Sequence, residues 1–170
     1  YTSGSESTTL VFKYTIQAGD NDTNGISIGA DVLALNSGAI SDPAGHNATL
    51  THSAVSDNTN YMVDTEAPRV DNFTLSDTAL KIGDNATVTL VFSEAVASFS
   101  SDDDITVPNL DNGTTSGTLA SMSSSDNITW TGRFTPTANT EDASNTLSLA
   151  DSWTDQVGNP GDAATTSNYE

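Results

Sequence analysis

The 170-residue chain carries 23 Asp and Glu residues against 4 Lys and Arg, which gives a formal net charge of -19. A surface this acidic repels phosphate backbones and anionic lipid headgroups, so the composition argues against nucleic-acid binding and membrane insertion. The chain has no cysteine and no apolar run near the roughly 18 residues of a membrane-spanning helix, which excludes disulfides, thiolate chemistry and a helical anchor within this sequence.

The acidic charge also favours bound cations, because self-repulsion opposes a compact state unless counter-ions reduce it. Divalent cations that prefer oxygen ligands suit carboxylates, and Ca²⁺ is therefore the expected cofactor. The chain is long enough for one or two domains with small cores, and its N-terminus lacks a charged-then-apolar leader. Any export signal is expected outside this sequence, and the absence of cysteine argues against a small disulfide-stapled domain.

The first predicted element is a β-strand in residues 8–17, TTLVFKYTIQ. Leu10, Phe12, Tyr14 and Ile16 point to one face and the intervening residues to the other, which is the alternation of a half-buried strand. Helical periodicity is almost absent from the rest of the chain.

The next segment, AGDNDTNGISIGAD, is a candidate calcium loop. Asp20, Asp22 and Asn24 alternate, Gly25 follows, and Asp31 occupies the twelfth position counted from Asp20. This spacing lets alternate side chains converge on one cation while glycine permits a sharp turn. A strand precedes the loop and Asp replaces the bidentate Glu, so the EF-hand fold is rejected. An acidic hairpin turn accounts for the same residues equally well.

A loose internal repeat follows. ISDPAGHN at residues 40–47 parallels WTDQVGNP at residues 153–160, and the dipeptide NY at residues 60–61 recurs at residues 168–169. Such self-similarity predicts two related modules in one chain.

The segment VDTEAP marks the boundary between these modules. Pro68 disfavours helix at Ala67 and favours an extended linker. We therefore predict that residues 1–66 form the C-terminal part of one domain, and that residues 67–170 form a complete second domain.

Strand patterns recur in the second module. Ser and Thr fill the outward positions and Gly, Asn and Asp separate the runs. Several short strands with turn signals between them predict an all-β fold, a β-sandwich. The expected inward residues are Val88, Leu90 and Phe92 in ATVTLVFSE, and Ile128, Trp130 and Phe134 in NITWTGRFT.

These phrases carry a family resemblance. Residues 8–68 resemble the C-terminal part of the bacterial immunoglobulin-like repeats of giant repeats-in-toxin-type (RTX) adhesins and biofilm-associated surface proteins. LSDTALKIGDNATVTLVFSEAV, SSSDNITWTGRFTPTA and TDQVGNPG resemble a second repeat type from the same proteins. The resemblance implies tandem immunoglobulin-like β-sandwich modules, the first incomplete at its N-terminus. It also implies an extracellular extender of a cell-surface adhesin, with calcium as stiffener and neighbouring modules as partners.

The chain departs from the family pattern at three points. The family's repeat opens with several further strands that would precede Tyr1. His46 stands where the D-x-x-G-N phrase carries Asn, whereas Asp155 and Asn159 match that phrase and are candidate ligands. Glu66 replaces the usual Thr and adds a carboxylate to the linker.

The linker is the stronger calcium candidate. Asp64 and Glu66 flank its hinge, and the loops SDPAGHN and SSDDDIT could bring Asp42 or Asp104 to the same junction. Carboxylates from two modules around one Ca²⁺ would turn a bendable joint into a stiff one. The alternative is an extended linker whose acids face water. The run that ends at Asp104 is otherwise typical of a solvated loop.

No catalytic role is expected. Acids lie in Ser-, Thr- and Asn-rich turns, His46 and His52 are the only histidines, and neither a nucleophile elbow nor a phosphate loop occurs. Trp130 and Trp153 are expected in the core rather than on a glycan-binding surface. The alternative function is an interaction module that binds a glycan or a partner chain, including strand complementation, because an unfinished sandwich exposes unpaired backbone edges.

Overall fold

The computed structural model describes residues 1–110, 113–139 and 141–170, and β-strands form nearly all of its regular secondary structure. The chain divides into two compact units, unit 1 (Tyr1–Glu66) and unit 2 (Ala67–Glu170). None of the helices in the described residues is long and apolar enough to cross a membrane.

Two strands belong to unit 1 and seven to unit 2 among the described residues. They are β1 (Ile26–Ile28), β2 (Val55–Asn58), β3 (Val70–Leu75), β4 (Ala86–Phe92), β5 (Ile105–Thr106), β6 (Gly117–Leu119), β7 (Thr129–Pro136), β8 (Ser148–Leu149) and β9 (Ala164–Thr165). One helical turn, α1 (Ser101–Asp104), lies between β4 and β5.

Unit 2 contains two antiparallel sheets, one ordered β3-β4-β7-β6 and the other β5-β8-β9. Alternation in β4 sends Val88, Leu90 and Phe92 into the core and Thr87 outward. Leu90 of β4 pairs with Trp130 of the neighbouring strand β7. The predicted strands in ATVTLVFSE and NITWTGRFT are therefore confirmed, as is the all-β fold.

Aromatic side chains pack in one core of unit 2, together with Ile105 and Leu149 of the second sheet. Trp153 is fully buried, and its ring centroid lies 4.5 Å from that of Phe92. Phe99 contacts Phe92 at 5.4 Å and Trp130 at 4.9 Å, so both tryptophans pack in or against the core. Gly161 is required beside Trp153, because a Cβ there would lie 2.2 Å from the indole ring.

Unit 1 has little interior. β1 and β2 form a two-stranded antiparallel sheet whose residues are all exposed. In unit 1, all of which the structure describes, Gly25 and Val63 are the only buried residues. Large apolar side chains that remain exposed include Phe12, Tyr14, Ile16, Ile26 and Ile28.

The predicted strand in residues 8–17 is wrong in this structure. Val11 makes a single bridge to Ser3, and no strand forms through residues 12–16. The physical reason is the lack of a pairing edge: within the described residues, the amides of residues 12–16 donate no hydrogen bond to the rest of the chain. Alternation alone does not form a strand without a neighbouring backbone.

The aromatic contact between Phe92 and Trp153 predicts a large cost for truncation. Phe92→Ala should lower the free energy of unfolding of unit 2 by about 3 to 5 kcal/mol, because it removes a buried ring and leaves a cavity. Ile82→Ala is the matched control, since Ile82 is 68% exposed and its loss should change stability by less than about 0.5 kcal/mol. Urea unfolding followed by tryptophan fluorescence would measure both, and equal midpoints would contradict this account of the core.

Candidate metal centre

The D-x-x-G-N loop of unit 2 is organised around the carboxylate of Asp155. Its Oδ1 accepts hydrogen bonds from the amides of Val157, Gly158 and Asn159 at 2.9, 2.7 and 2.9 Å. Its Oδ2 accepts one from Asn159 Nδ2 at 2.7 Å. Gly158 has φ 99°, a left-handed conformation that costs glycine little. The sequence therefore folds locally because Asp, Gly and Asn stand at the spacing this turn requires.

This carboxylate is ionised although it is 1% exposed. Burial alone would raise the pKa of Asp155, but the Asn159 side chain and the three backbone amides outweigh burial and hold the pKa below its usual 3.8. The loop therefore keeps a negative charge inside unit 2 at neutral pH.

A second carboxylate accompanies Asp155. Glu94 follows β4, is half-buried, and has a carboxylate oxygen within 4.8 Å of one of Asp155. The bridge between Val96 and Asp155 brings the two segments together. Two carboxylates this close repel each other unless a cation or hydrogen-bond donors compensate, and oxygen ligands of this kind suit Ca²⁺.

Glu94 was missed by the sequence reasoning. Its position follows from the long-range bridge at Val96, which no local spacing reveals. The one available signal was its place at the end of the strongest alternating segment, ATVTLVFSE.

The matching loop of unit 1 has the same hydrogen-bond pattern. Asp42 Oδ1 accepts from the amides of Ala44 and His46 at 2.9 Å, and His46 Nδ1 lies 2.9 Å from Asp42 Oδ2. His46 therefore takes the position that Asn159 holds in unit 2. The hydrogen bond with the His46 side chain, followed by those from backbone amides, lowers the pKa of Asp42. Asp42 differs from Asp155 in being exposed.

The four predicted ligands of the first loop each make a separate contact. Asp20 Oδ2 accepts from Tyr14 Oη and the amide of Gln17, both at 2.7 Å. Asp22 Oδ1 accepts from the amide of Gly25 at 2.8 Å. These are the contacts of an acidic turn, the alternative considered for this loop.

The remaining two residues of that loop contact other segments. Asn24 Nδ2 donates to Asp57 Oδ2 at 2.6 Å, and Asp31 Oδ1 accepts from the amide of His52 at 2.7 Å. Calcium binding by Asp20, Asp22, Asn24 and Asp31 remains a prediction.

Asp104 has a structural role inside unit 2 that the sequence did not suggest. It is buried, its Oδ2 accepts from the amide of Ser100 at 2.8 Å, and its Oδ1 accepts from the Ser152 hydroxyl. These bonds tie α1 to the segment after β8. Asp102 and Asp103 of the same run are exposed.

The linker acids were predicted as ligands, and within unit 1 they contact each other. The amide of Glu66 donates to Asp64 Oδ1 at 3.0 Å. Asp64 is half-buried and Glu66 is exposed. Their binding of calcium remains a prediction.

The lowered pKa of Asp155 predicts acid sensitivity. Its contribution to stability is fully present above the unfolded pKa of about 3.9 and is lost as pH falls through the lower folded pKa. In chelator at pH 7, Asp155→Asn should cost about 1 to 3 kcal/mol, because buried amides lose a charged acceptor.

The difference between Asp155→Asn and the unchanged chain should shrink as pH falls below about 4. Urea unfolding at several pH values would measure it. Asp151→Asn removes the same charge from an exposed residue and should give a small difference. Parallel pH curves for Asp155→Asn and the unchanged chain would contradict the assignment.

Comparison with known proteins agrees with this architecture. The family described as "Bacterial Ig-like domain" matches residues 64–170. No curated protein and no solved structure gives a significant match. The match covers more than half of the sequence and includes the sandwich of unit 2 and its D-x-x-G-N loop. The chain therefore belongs to the bacterial immunoglobulin-like domain family.

Proposed function

We propose that the chain is an extender module of a large secreted bacterial surface adhesin, and that Ca²⁺ stiffens it. The role is mechanical and non-catalytic: the modules space an adhesive domain away from the cell and serve cell adhesion and biofilm formation. The observation that carries the calcium part of the proposal is the ionised, buried carboxylate of Asp155 beside Glu94.

Electrostatics favours a cation at this pair. The hydrogen bonds to Asp155 hold its pKa below the usual value, so this carboxylate offers a charged oxygen ligand beside Glu94 at neutral pH. Ca²⁺ accepts six to eight oxygen ligands in flexible geometry, and backbone carbonyls and water can complete a shell that two carboxylates begin. The overall charge of -19 also favours cation binding, because it attracts divalent cations to the protein.

The linker acids extend the proposal. The family match begins at residue 64, so Asp64 lies within the family's sequence pattern. We propose that Asp64 and Glu66 add ligands, as the sequence predicts. A ligand from a linker removes backbone freedom at the hinge when it binds, and this is how an ion would stiffen a chain of modules.

The expected affinity suits an extracellular protein. Calcium sites of extracellular modules bind with dissociation constants of about 0.1 to 1 mM. Such a site is filled outside the cell and empty at cytosolic calcium levels, so the module would become stiff only after export.

Calcium is expected to stabilise unit 2. At ten times the dissociation constant, Ca²⁺ should raise its free energy of unfolding by about 1.4 kcal/mol, and the melting temperature by about 5 °C. Differential scanning calorimetry in 10 mM CaCl₂ and in EGTA would measure the shift.

Glu94→Gln should abolish that shift, because it removes a proposed ligand outside the hydrogen-bonded loop. Asp151→Asn loses the same charge from an exposed residue and should keep the shift. Equal melting temperatures of the unchanged chain in CaCl₂ and in EGTA would remove calcium from the proposed function.

The contribution of the linker can be measured separately. Asp64→Asn and Glu66→Gln together should weaken calcium binding by about tenfold or more, as the loss of ligands does at other metal sites. Isothermal titration with CaCl₂ gives the dissociation constant, and Asp57→Asn with Asp71→Asn is the charge-matched control. An unchanged constant would exclude the linker acids as ligands while leaving the Glu94 site in place.

A further inference from the structure

Unit 2 contains a small cavity at the end of β7 that lies farther from the Asp155 loop. Its volume is about 60 Å³, and we call it the Asn145 cavity. Among the residues that line it are Ser116, Pro136, Asp142, Asn145, Tyr169 and Glu170.

The Asn145 cavity is distinct from the candidate calcium centre. Pro136, which lines it, is the last residue of β7. The Asp155 loop lies near the first residues of β7, because Val96 bridges to Asp155 and donates to the carbonyl of Asn127. The eight residues of this strand separate its two ends by about 23 Å.

Asn145 is buried, and all but one of its polar atoms are paired. It is 5% exposed, its backbone amide donates to Asn168 Oδ1 at 2.6 Å, and its carbonyl accepts from the amide of Tyr169 at 2.9 Å. Its Nδ2 donates to the carbonyls of Asp142 and Tyr169 at 3.1 and 3.3 Å. Its Oδ1 is buried and accepts no hydrogen bond from any described residue.

The two bonds of Nδ2 fix the orientation of this side chain. A 180° rotation of the side-chain amide would place Oδ1 against two carbonyl oxygens and would lose both bonds. Oδ1 is therefore the polar atom that Asn145 presents to the cavity. A buried acceptor without a donor is destabilising, and a water molecule or a cation in the cavity would compensate it.

The charges around the cavity favour a cation over a neutral water molecule. Asp142 is half-buried and Glu170 is exposed, and both line the cavity. Lys81 is the one cationic side chain among the described lining residues, and its Nζ lies 2.9 Å from Asp84 Oδ2. Asp84 therefore offsets the charge of Lys81, and the two other carboxylates leave the cavity with an excess of negative charge.

Hydroxyl groups add neutral oxygen atoms to the same cavity. Tyr169 Oη and Ser116 Oγ lie 2.8 Å apart, so one donates to the other and lone pairs remain on both. Burial raises the pKa of Tyr169 against the opposing effect of the Ser116 hydrogen bond, and the charge of Asp142 raises it further. The Asp142 carboxylate therefore acts electrostatically on the hydroxyl inside the cavity.

The ligand set suits a single positive charge. Asn145, Tyr169 and Ser116 offer neutral oxygens, and one oxygen of the Asp142 carboxylate already accepts from the amide of Ser144 at 3.0 Å. Calcium affinity rises with the number of charged ligands, and here one half-buried carboxylate is present. Neutral carbonyl oxygens that replace a hydration shell are the ligands of monovalent cations in channels.

We propose that the Asn145 cavity binds a monovalent metal cation, Na⁺ or K⁺, with Asn145 Oδ1 and the Asp142 carboxylate as its main protein ligands. Water molecules complete the shell, since the volume exceeds the roughly 15 Å³ that one water requires. The ion supplies the missing partner of Asn145, which bridges to Tyr169 next to the paired strands β8 and β9. It thereby stabilises this end of unit 2 without any contribution from calcium.

The test is a salt titration of the whole chain in EGTA, followed by amide proton–nitrogen NMR. NaCl and KCl are each compared with choline chloride at the same ionic strength, because choline is too large for the cavity. The Asn145 side-chain amide and the backbone amide of Tyr169 should shift saturably in NaCl, KCl or both, with half-saturation below about 150 mM, the physiological ionic strength. The salt that saturates at the lower concentration identifies the preferred ion.

Two substitutions test the ligands. Asp142→Asn should weaken the binding by about tenfold, as the loss of a ligand or of its partner does at other metal sites. Asp151→Asn removes the same charge from an exposed residue and should leave the half-saturation concentration unchanged. The resonances of β4 report whether each variant is folded, and the titration of the unchanged chain tests the site even if Asp142→Asn does not fold.

Two results would overturn the proposal. One is equal shifts in NaCl, KCl and choline chloride, which would mean that water alone compensates Asn145 Oδ1 and that salt acts only by screening. The other is a folded Asp142→Asn chain that binds the ion as tightly as the unchanged chain. EGTA removes calcium from every sample, so these outcomes are independent of the proposed calcium role.

Discussion

The hydrogen bonds to the buried carboxylate of Asp155 fix the part of unit 2 that holds both its core aromatic Trp153 and its candidate metal ligands. Three amides and one side-chain amide hold the loop closed and keep the carboxylate charged. The same turn sets Trp153 against Phe92 and brings Gly161 under the indole ring. A charge that would be costly to bury alone is stabilised by local donors, and the geometry that provides those donors also closes the sandwich.

Comparison of the two copies of this loop shows which of its features depend on local residues and which depend on contacts with distant segments. Asp42 in unit 1 collects nearly the same hydrogen bonds as Asp155, with His46 in place of Asn159, so the loop forms from its own residues. The loop alone does not determine whether the apolar residue before it is buried. Ile40 lines an open cavity where Trp153 is enclosed, because enclosure requires strands from elsewhere in the domain. A turn can therefore be stable where the core around it is unfinished.

This distinction explains which features could be predicted from the sequence. Alternation correctly identified β4 and β7, whose partners lie in the described residues. Metal binding by Asp155, which the D-x-x-G-N spacing indicated, stays a prediction. Alternation failed at residues 8–17, where the pattern is equally strong and the pairing edge is missing. Glu94 and the buried role of Asp104 were also missed, because each depends on a contact between segments distant in sequence, the Val96 bridge and the Ser152 hydroxyl. An alternating pattern predicts which side chains share a face of a strand, but it does not predict whether another strand is present to pair with it.

The acidic composition has different consequences in the two units. In unit 2 a carboxylate oxygen of Asp155 lies within 4.8 Å of one of Glu94, and oxygen ligands of this kind suit a divalent cation. In unit 1 the acids surround apolar side chains that are not enclosed, and they oppose association with any equally acidic copy. The same charge therefore attracts cations and opposes association between copies of the chain.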